Sequence, residues 1–251
     1  MSDQVNRRTF LKRAGAAGAG AVIASRLPAP GAAFAQAPAG VKADPAAKRG
    51  GTLRYGILSA AAHFDVHQSG TVANIGPQSP MYDTLIRRDP KDGQTIIPDL
   101  AERWTITPDG KKYSFFLRKG VKFHDGADFT ADDVKATYER ICRPPTGVVI
   151  PRTPLFATVG DITVVNPHQI DFHMTEPRPR AYMLGAFSSG WNIIVRKKTL
   201  EENQGNLRQV VNYPGTGPFK HVERRDKEIW IMAKNQNYWN KGLPYLDKFV
   251  L

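Results

Sequence analysis

Residues 97–143 read IPDLAERWTITPDGKKYSFFLRKGVKFHDGADFTADDVKATYERICR and carry the clearest local folding instructions in the chain. Trp104–Ile106 has the character of a short strand. Thr107-Pro108-Asp109-Gly110-Lys111 supplies a turn, with proline fixing φ and glycine free to take a positive φ. Tyr113, Phe115 and Leu117 then alternate with Ser114, Phe116 and Arg118, a period of two broken only by the aromatic Phe116. That exception predicts a returning strand covered on both faces at one point. Thr130-Ala131-Asp132-Asp133 is a capping-box signature, because a threonine hydroxyl and a carboxylate three residues on satisfy free helical N–H groups. The helix it starts places Val134, Tyr138, Ile141 and Cys142 on one face, and Pro144-Pro145 stops it.

The run from Leu100 to Ile141 closely resembles a signature of the bacterial extracytoplasmic solute-binding proteins of the peptide/nickel (dipeptide- and oligopeptide-binding) family. Gly51-Thr52-Leu53-Arg54-Tyr55-Gly56, Phe64-Asp65-Val66-His67, Met81-Tyr82-Asp83-Thr84-Leu85, Gly215-Thr216-Gly217-Pro218-Phe219-Lys220 and Asn237-Tyr238-Trp239 are similar to further pieces of that family. The resemblance runs from about Gly50 to the last residue, and it is specific as an ordered set. It implies an α+β (mixed α/β) fold, a type II periplasmic-binding-protein-like lobe of the peptide-binding subclass, incomplete without a second lobe. It also implies non-catalytic capture of a peptide or small solute for an ABC importer. The partners would be membrane permease subunits with their cytoplasmic ATPases. In this resemblance the loop Ser59, Ala60, Ala61 to His63 borders the ligand cleft, and the loop Pro144 to Phe156 reaches the ligand. Peptide, metal chelate, opine, glutathione and oligosaccharide stay open as substrates.

Family members run to roughly double this length, and Tyr245–Leu251 reads as a strand only just begun. The expectation is an N-terminal lobe over residues 50–251, ending where the chain would cross to a second lobe. A remnant without ligand capture, or a periplasmic structural or chaperone-like protein, is the alternative.

The N-terminus is read as an export signal over residues 1–35. Arg7-Arg8 precede Thr9-Phe10-Leu11-Lys12, and Ala14–Ala24 is small and mildly apolar. The paired arginines resemble a twin-arginine signal, which implies a Tat translocase, and Ala33-Phe34-Ala35 places cleavage before Gln36. The apolar stretch is too short to span a bilayer, which takes about 20 residues. No lipid-anchoring cysteine follows it. Residues 36–49, rich in Ala, Pro and Lys, read as a flexible linker. The expected location is the periplasm.

The formal net charge is +12. The signal carries five basic residues against one acid, which leaves +8 for the remainder. The positives are scattered, mostly beside Asp or Glu, with no basic stripe or aromatic platform, so the pattern argues against a nucleic-acid partner and for a solvated surface; a monomer is expected. Cys142 is the only cysteine, which excludes an internal disulfide, and it reads as an inert thiol on the apolar helix face.

Chemistry is sparse. His63, Asp65 and His67 alternate, so on a strand they would share a face, a weak candidate metal site without HExxH or CxxC spacing. No cofactor is expected. His124-Asp125-Gly126 reads as a tight turn in which the histidine bonds nearby backbone. Ser188-Ser189-Gly190 lacks the GxSxG elbow. Gly215-Thr216-Gly217-Pro218 lacks the GK[ST] of a phosphate loop, and its proline removes an N–H, so it reads as a rigid turn. Asp65 and Asp83 read as structural. No enzyme is implied.

Elsewhere the patterns predict a strand at Gly51–Ile57, a helix over Pro80–Arg88 packing Met81, Tyr82 and Leu85, and a hairpin 161–174 turned by Asn166-Pro167. A short helix at Ala181–Phe187, a strand at Trp191–Val195, a helix starting at Lys198 and a third hairpin at Gly217–Ala233 follow.

Overall fold

The computed structural model describes residues 40–251. The expected signal, with Arg7 and Arg8, lies outside the described residues.

The first hairpin forms as its sequence dictates. β4 (Ala101–Ile106) and β5 (Lys112–Leu117) pair antiparallel, with Trp104 opposite Phe115 and Ile106 opposite Tyr113. Gly110 takes the positive φ of the connecting turn. Tyr113, Phe115 and Leu117 face inward and are buried. Phe116 points the other way, and the Arg103 guanidinium covers its ring at 3.3 Å from the centroid. A cation stacked on an aromatic face accounts for the break in the alternation. β6 (Val159–Asn166) and β7 (Gln169–Met174) complete this sheet in the order β4-β5-β7-β6, all antiparallel.

The helix Ala131–Cys142 packs on this sheet after a formed capping box, with the Asp133 carboxylate accepting the Thr130 backbone N–H at 2.9 Å. Between helix and sheet lies an aromatic cluster. Phe187 meets Phe172 at 4.9 Å, Phe115 at 5.0 Å, and Tyr138 and Phe156 at 5.4 Å between centroids. These are mostly edge-to-face contacts, each worth about 0.5–1.5 kcal/mol beyond burial. Cys142 is half-buried beside this core, and burial pushes its thiol up to about 12, which suits an inert group.

The second sheet is mixed. β8 (Phe219–Arg225) and β9 (Ile229–Lys234) form the third hairpin. β10 (Lys248–Val250) joins β9 antiparallel and β1 (Thr52–Arg54) parallel, giving the order β1-β10-β9-β8. Its own core gathers Phe64, Val66, Ile75, Met81, Tyr82, Tyr213, Trp230 and Met232. A small hairpin, β2 (Ile86–Arg88) with β3 (Ile96–Pro98), stands apart from both sheets. With helical segments on antiparallel and mixed strands, the fold is α+β.

Three expectations are corrected. Pro80–Arg88 is not a helix. The helix lies upstream at Val72–Gln78, followed by a 3-10 turn at Ser79–Met81, an isolated bridge at Thr84, a bend at Leu85 and a strand at Ile86–Arg88. The reason is competition for backbone groups. Ile194 N–H donates to Asp83 O, Asp99 accepts the Thr84 N–H, and Thr84 bridges Ile193. Met81, Tyr82 and Leu85 are nevertheless buried. Trp191–Val195 is likewise not a strand: only Ile193 bridges, and the Val195 N–H is taken by the Thr137 hydroxyl at 3.0 Å. The third concerns the linker. Its described part, from Gly40, is tied down: Asn240 donates to Val41 O at 2.9 Å, Arg49 donates to Gly242 O at 2.8 Å, and its guanidinium covers Tyr245.

The turn Gly215–Pro218 requires its glycines for close approach. A Cβ at Gly215 would lie 2.0 Å from Met81 O, and one at Gly217 2.4 Å from Met81 C. The reading as a rigid turn therefore has a specific cause: two backbones pass at a distance only glycine permits.

Candidate functional site

Two clefts adjoin the helix Val72–Gln78 and its 3-10 extension, one at Pro77 and the other at Ser79-Pro80. The smaller, about 630 Å³, includes Ser59, Ala60, Ala61 and Pro77 in its wall, with Arg224, Lys227 and Trp230 opposite. The loop Gly56–Ala61 reaches this place because β1 is short and its chain leaves the sheet after Arg54. Arg224 is held over two rings, 4.8 Å from the Phe64 centroid and 5.5 Å from that of Trp230, and it pairs with Asp226. Trp230 in turn donates its indole N–H to His221 Nδ1 at 2.9 Å. His63, expected alongside Ser59–Ala61, is not in this wall. It is buried, accepts from the Asn74 amide at 3.3 Å, and burial followed by the Arg208 charge lowers its pKa.

The larger cleft measures about 820 Å³. Its wall includes Ser79, Asp83, Arg87, Tyr182, the run Ser188–Trp191 and, from the loop Pro144–Phe156, Leu155. Trp191 presents a buried indole N–H with no acceptor. The Arg152 guanidinium sits 5.5 Å from the Trp191 ring centroid and is itself buried, donating to His67 O at 2.6 Å and to Ser69 O at 2.5 Å. Its Nε also lacks a partner. Two buried donors stacked together and unspent are costly, about 1–3 kcal/mol each.

Two of the weak metal candidates, Asp65 and His67, sit in a salt-bridged network. Arg140 donates to Asp65 Oδ2 at 2.5 Å and to His67 Nδ1 at 2.6 Å. With Nδ1 accepting, His67 carries its proton on Nε2 and donates to Ile193 O at 2.8 Å. Burial, then the Arg140 charge, lowers the His67 pKa to about 3. Asp65 is opposed by its own burial, yet Arg140, His67, Gln68 and the Leu207 N–H hold it below the usual carboxylate range. A guanidinium occupies the place a metal ion would need, and His63 bonds elsewhere. Among the described residues no group of three His, Cys, Asp or Glu side chains is placed to hold a metal.

His124 is tied to backbone, but to residues far along the chain. It accepts from Gly215 N at 3.3 Å and donates to Gly217 O at 3.0 Å. Asp83 is also structural, buried and accepting from Thr216, Tyr238 and Trp239. Burial raises its pKa. Sequence reasoning missed Trp191 and Arg87 as cleft groups. The available signal is a tryptophan directly after the small residues Ser188-Ser189-Gly190.

Comparison with known proteins adds the following. Residues 95–251 match the family described as Bacterial extracellular solute-binding proteins, family 5 Middle. The glutathione-binding protein GsiB of Escherichia coli K12 is 30% identical over 156 residues, 60% of this chain and 28% of GsiB. Di/tripeptide-binding protein 2 of Pseudomonas aeruginosa is 32% identical over 196 residues, 68% of this chain and 35% of that protein. Among solved structures, the periplasmic binding protein DppA of Helicobacter pylori in complex with the peptide STSA superposes with a TM-score of 0.71 at 28% identity, over 81% of this chain and 42% of that one. AgaA from A. tumefaciens R10, in complex with agropinic acid, gives 0.72 at 26% identity, over 80% and 39%. The chain thus spans about a third of the length of these curated relatives. The fold it forms is the mixed α/β lobe of such type II binding proteins, a single lobe.

Proposed function

This chain belongs to the bacterial extracellular solute-binding proteins, family 5, and on that premise we propose that it is the substrate-binding component of an ABC importer, capturing a peptide or similar small solute in the periplasm. The observation that carries the reading is the 820 Å³ cleft with Trp191 in its wall, the indole N–H of that residue being unspent. An oxygen-rich ligand, such as a peptide with its carbonyls and terminal carboxylate, supplies an acceptor of the kind Trp191 lacks. The volume falls within the usual range for small-molecule sites, about 300–1,000 Å³. Ser59, Ala60 and Ala61, in the neighbouring cleft, form a second wall for an extended ligand. The side chains that bear chemistry, Asp65, His67, Asp83 and His124, are committed to structure, in keeping with binding and not catalysis.

The remaining parts of the proposal follow from the same membership. The bound form would be delivered to permease subunits driven by cytoplasmic ATPases, without nucleic acid and as a monomer. Export, read from the sequence alone, would use the Tat translocase recognising Arg7-Arg8, with a signal peptidase cleaving before Gln36.

The test is thermal unfolding of the purified chain with di- to tetrapeptides and with glutathione, followed by Trp191→Phe. A ligand that binds only the native state raises Tm with concentration. The expected result is a saturable rise for at least one of these compounds, lost in the variant. No rise with any of them, or an equal rise in Trp191→Phe, would reject peptide capture at this cleft.

A further inference from the structure

A third cavity of about 310 Å³ lies behind the larger cleft, between the hairpin β2–β3 and the segment Tyr238–Leu246. Its walls are aromatic and aliphatic, with Phe219, Tyr238, Trp239, Leu243 and Tyr245 among them. Two charged residues, Arg87 and Asp99, line both this cavity and the larger cleft, so they stand in the partition between them. Their placement follows from the hairpin register: Ile86 pairs with Pro98, which sets Arg87 and Asp99 diagonally across the ladder.

The two charges are poorly matched to each other. Asp99 spends Oδ2 on Thr84, accepting its N–H at 2.9 Å and its hydroxyl at 3.0 Å. Its Oδ1 faces Arg87 at 4.0 Å, beyond hydrogen-bonding distance. The Arg87 side chain is 40% exposed, against 3% for Asp99, and its guanidinium donates no hydrogen bond to any described residue. A planar donor fork with unspent N–H groups, beside a slot walled by rings, matches an amphiphile with an apolar body and an anionic end. A cation suits the place less well, because it would approach Asp99 through the field of Arg87. Asp99 also takes up a proton readily, its carboxyl being raised by burial and by neighbouring Asp83, which leaves the Arg87 charge uncompensated.

We propose that this cavity is a second binding site, for a small hydrophobic monocarboxylate whose ring or branched chain lies against Trp239 and Tyr245 and whose carboxylate pairs with Arg87. The site does not depend on the reading of the larger cleft.

The experiment is titration of the purified chain with 3-phenylpropionate, its neutral amide and phenethylamine, following the indole N–H signals by NMR. The expected result is saturable binding of the acid, with the Trp239 signal moving and at least about tenfold weaker binding of the amide and the amine. Arg87→Gln should weaken the acid by about tenfold or more. Because Arg87 lines both spaces, two filling variants separate them: Leu243→Trp should abolish binding and Ser189→Trp should leave it unchanged. No saturation up to about 10 mM, equal binding of acid and amide, or loss in Ser189→Trp alone would overturn the proposal. Should Leu243→Trp fail to fold, the Trp239 shift, the acid–amide comparison and Ser189→Trp still decide it.

Discussion

The indole of Trp239 donates to the carboxylate of Asp83 at 2.9 Å, across 156 positions of chain. The same carboxylate accepts from Thr216 at 3.0 Å and from Tyr238 at 3.1 Å. One buried acid therefore ties the segment after the 3-10 turn to the glycine-rich turn and to the Asn237-Tyr238-Trp239 segment. Asp83→Ala leaves three donors unsatisfied, and the expected loss is about 3 kcal/mol or more in urea unfolding. Asp83→Asn keeps an acceptor for Thr216 and Trp239 while the Tyr238 hydroxyl turns to accept, so about 1 kcal/mol is expected. Equal costs for the two variants would show that packing, not hydrogen bonding, is what Asp83 supplies.

The pair Asp65–Arg140 is buried on both sides, with side chains 1% and 3% exposed. Removing the cation alone strands the anion, so Arg140→Met should cost about 3–5 kcal/mol. Replacing both, Asp65→Leu with Arg140→Met, should recover part of that loss, a coupling measurable in a double-mutant cycle. The folded pKa of Asp65 is held below 3.8, so its contribution is present above that value and lost as pH falls through the lower folded one. The wild type should accordingly lose its advantage over Asp65→Asn only at strongly acid pH. An advantage that does not change there would contradict this role for the ion pair.

The parts of this fold legible in the sequence are those whose partners are local. The 104–117 hairpin, the Thr130–Asp133 box and the 159–174 hairpin each close within about a dozen residues, so periodicity and turn chemistry decide them. The segment Pro80–Arg88 failed because its backbone groups pair with Asp99 and Ile194, partners no local pattern reveals. Asp65 and Asp83 were read as structural, but the reason lies in Arg140, 75 residues on, and Trp239, 156 on. The larger cleft is hidden for the same cause: Arg87 and Trp191 come to one wall only in three dimensions.

His124 offers a pH test of its own. Burial first, and then the charge of Lys220, lowers its pKa to about 4 against the bond it donates to Gly217. A histidine with a depressed folded pKa binds fewer protons native than unfolded, so its contribution is complete above pH 6.5 and lost as pH falls toward 4. Stability of the wild type relative to His124→Gln should therefore drop by about 1.4 kcal/mol per pH unit across that window. A constant difference from neutral pH down to about 4 would mean the imidazole is not held neutral by its two backbone bonds.

Asp99 should behave with the opposite sign. Burial, reinforced by the nearby Asp83 carboxylate, pushes its carboxyl up to about 7, while Arg87 and the Thr84 donors pull the other way. The native state therefore holds a proton that the unfolded state releases near 3.8. Its favourable contribution is complete below 3.8 and lost as pH rises to about 7. Asp99→Asn keeps an oxygen for Thr84 and removes the titration, so the variant should gain on the wild type by about 1.4 kcal/mol per pH unit between those limits. Arg87→Gln removes the nearest compensating cation and should extend the window upward. Urea unfolding of both variants at pH about 5 and about 8 reads the difference directly. If Asp99→Asn tracks the wild type at both values, the carboxylate is ionised in the fold throughout, and the Arg87–Asp99 contact is a stronger ion pair than its 4.0 Å separation indicates.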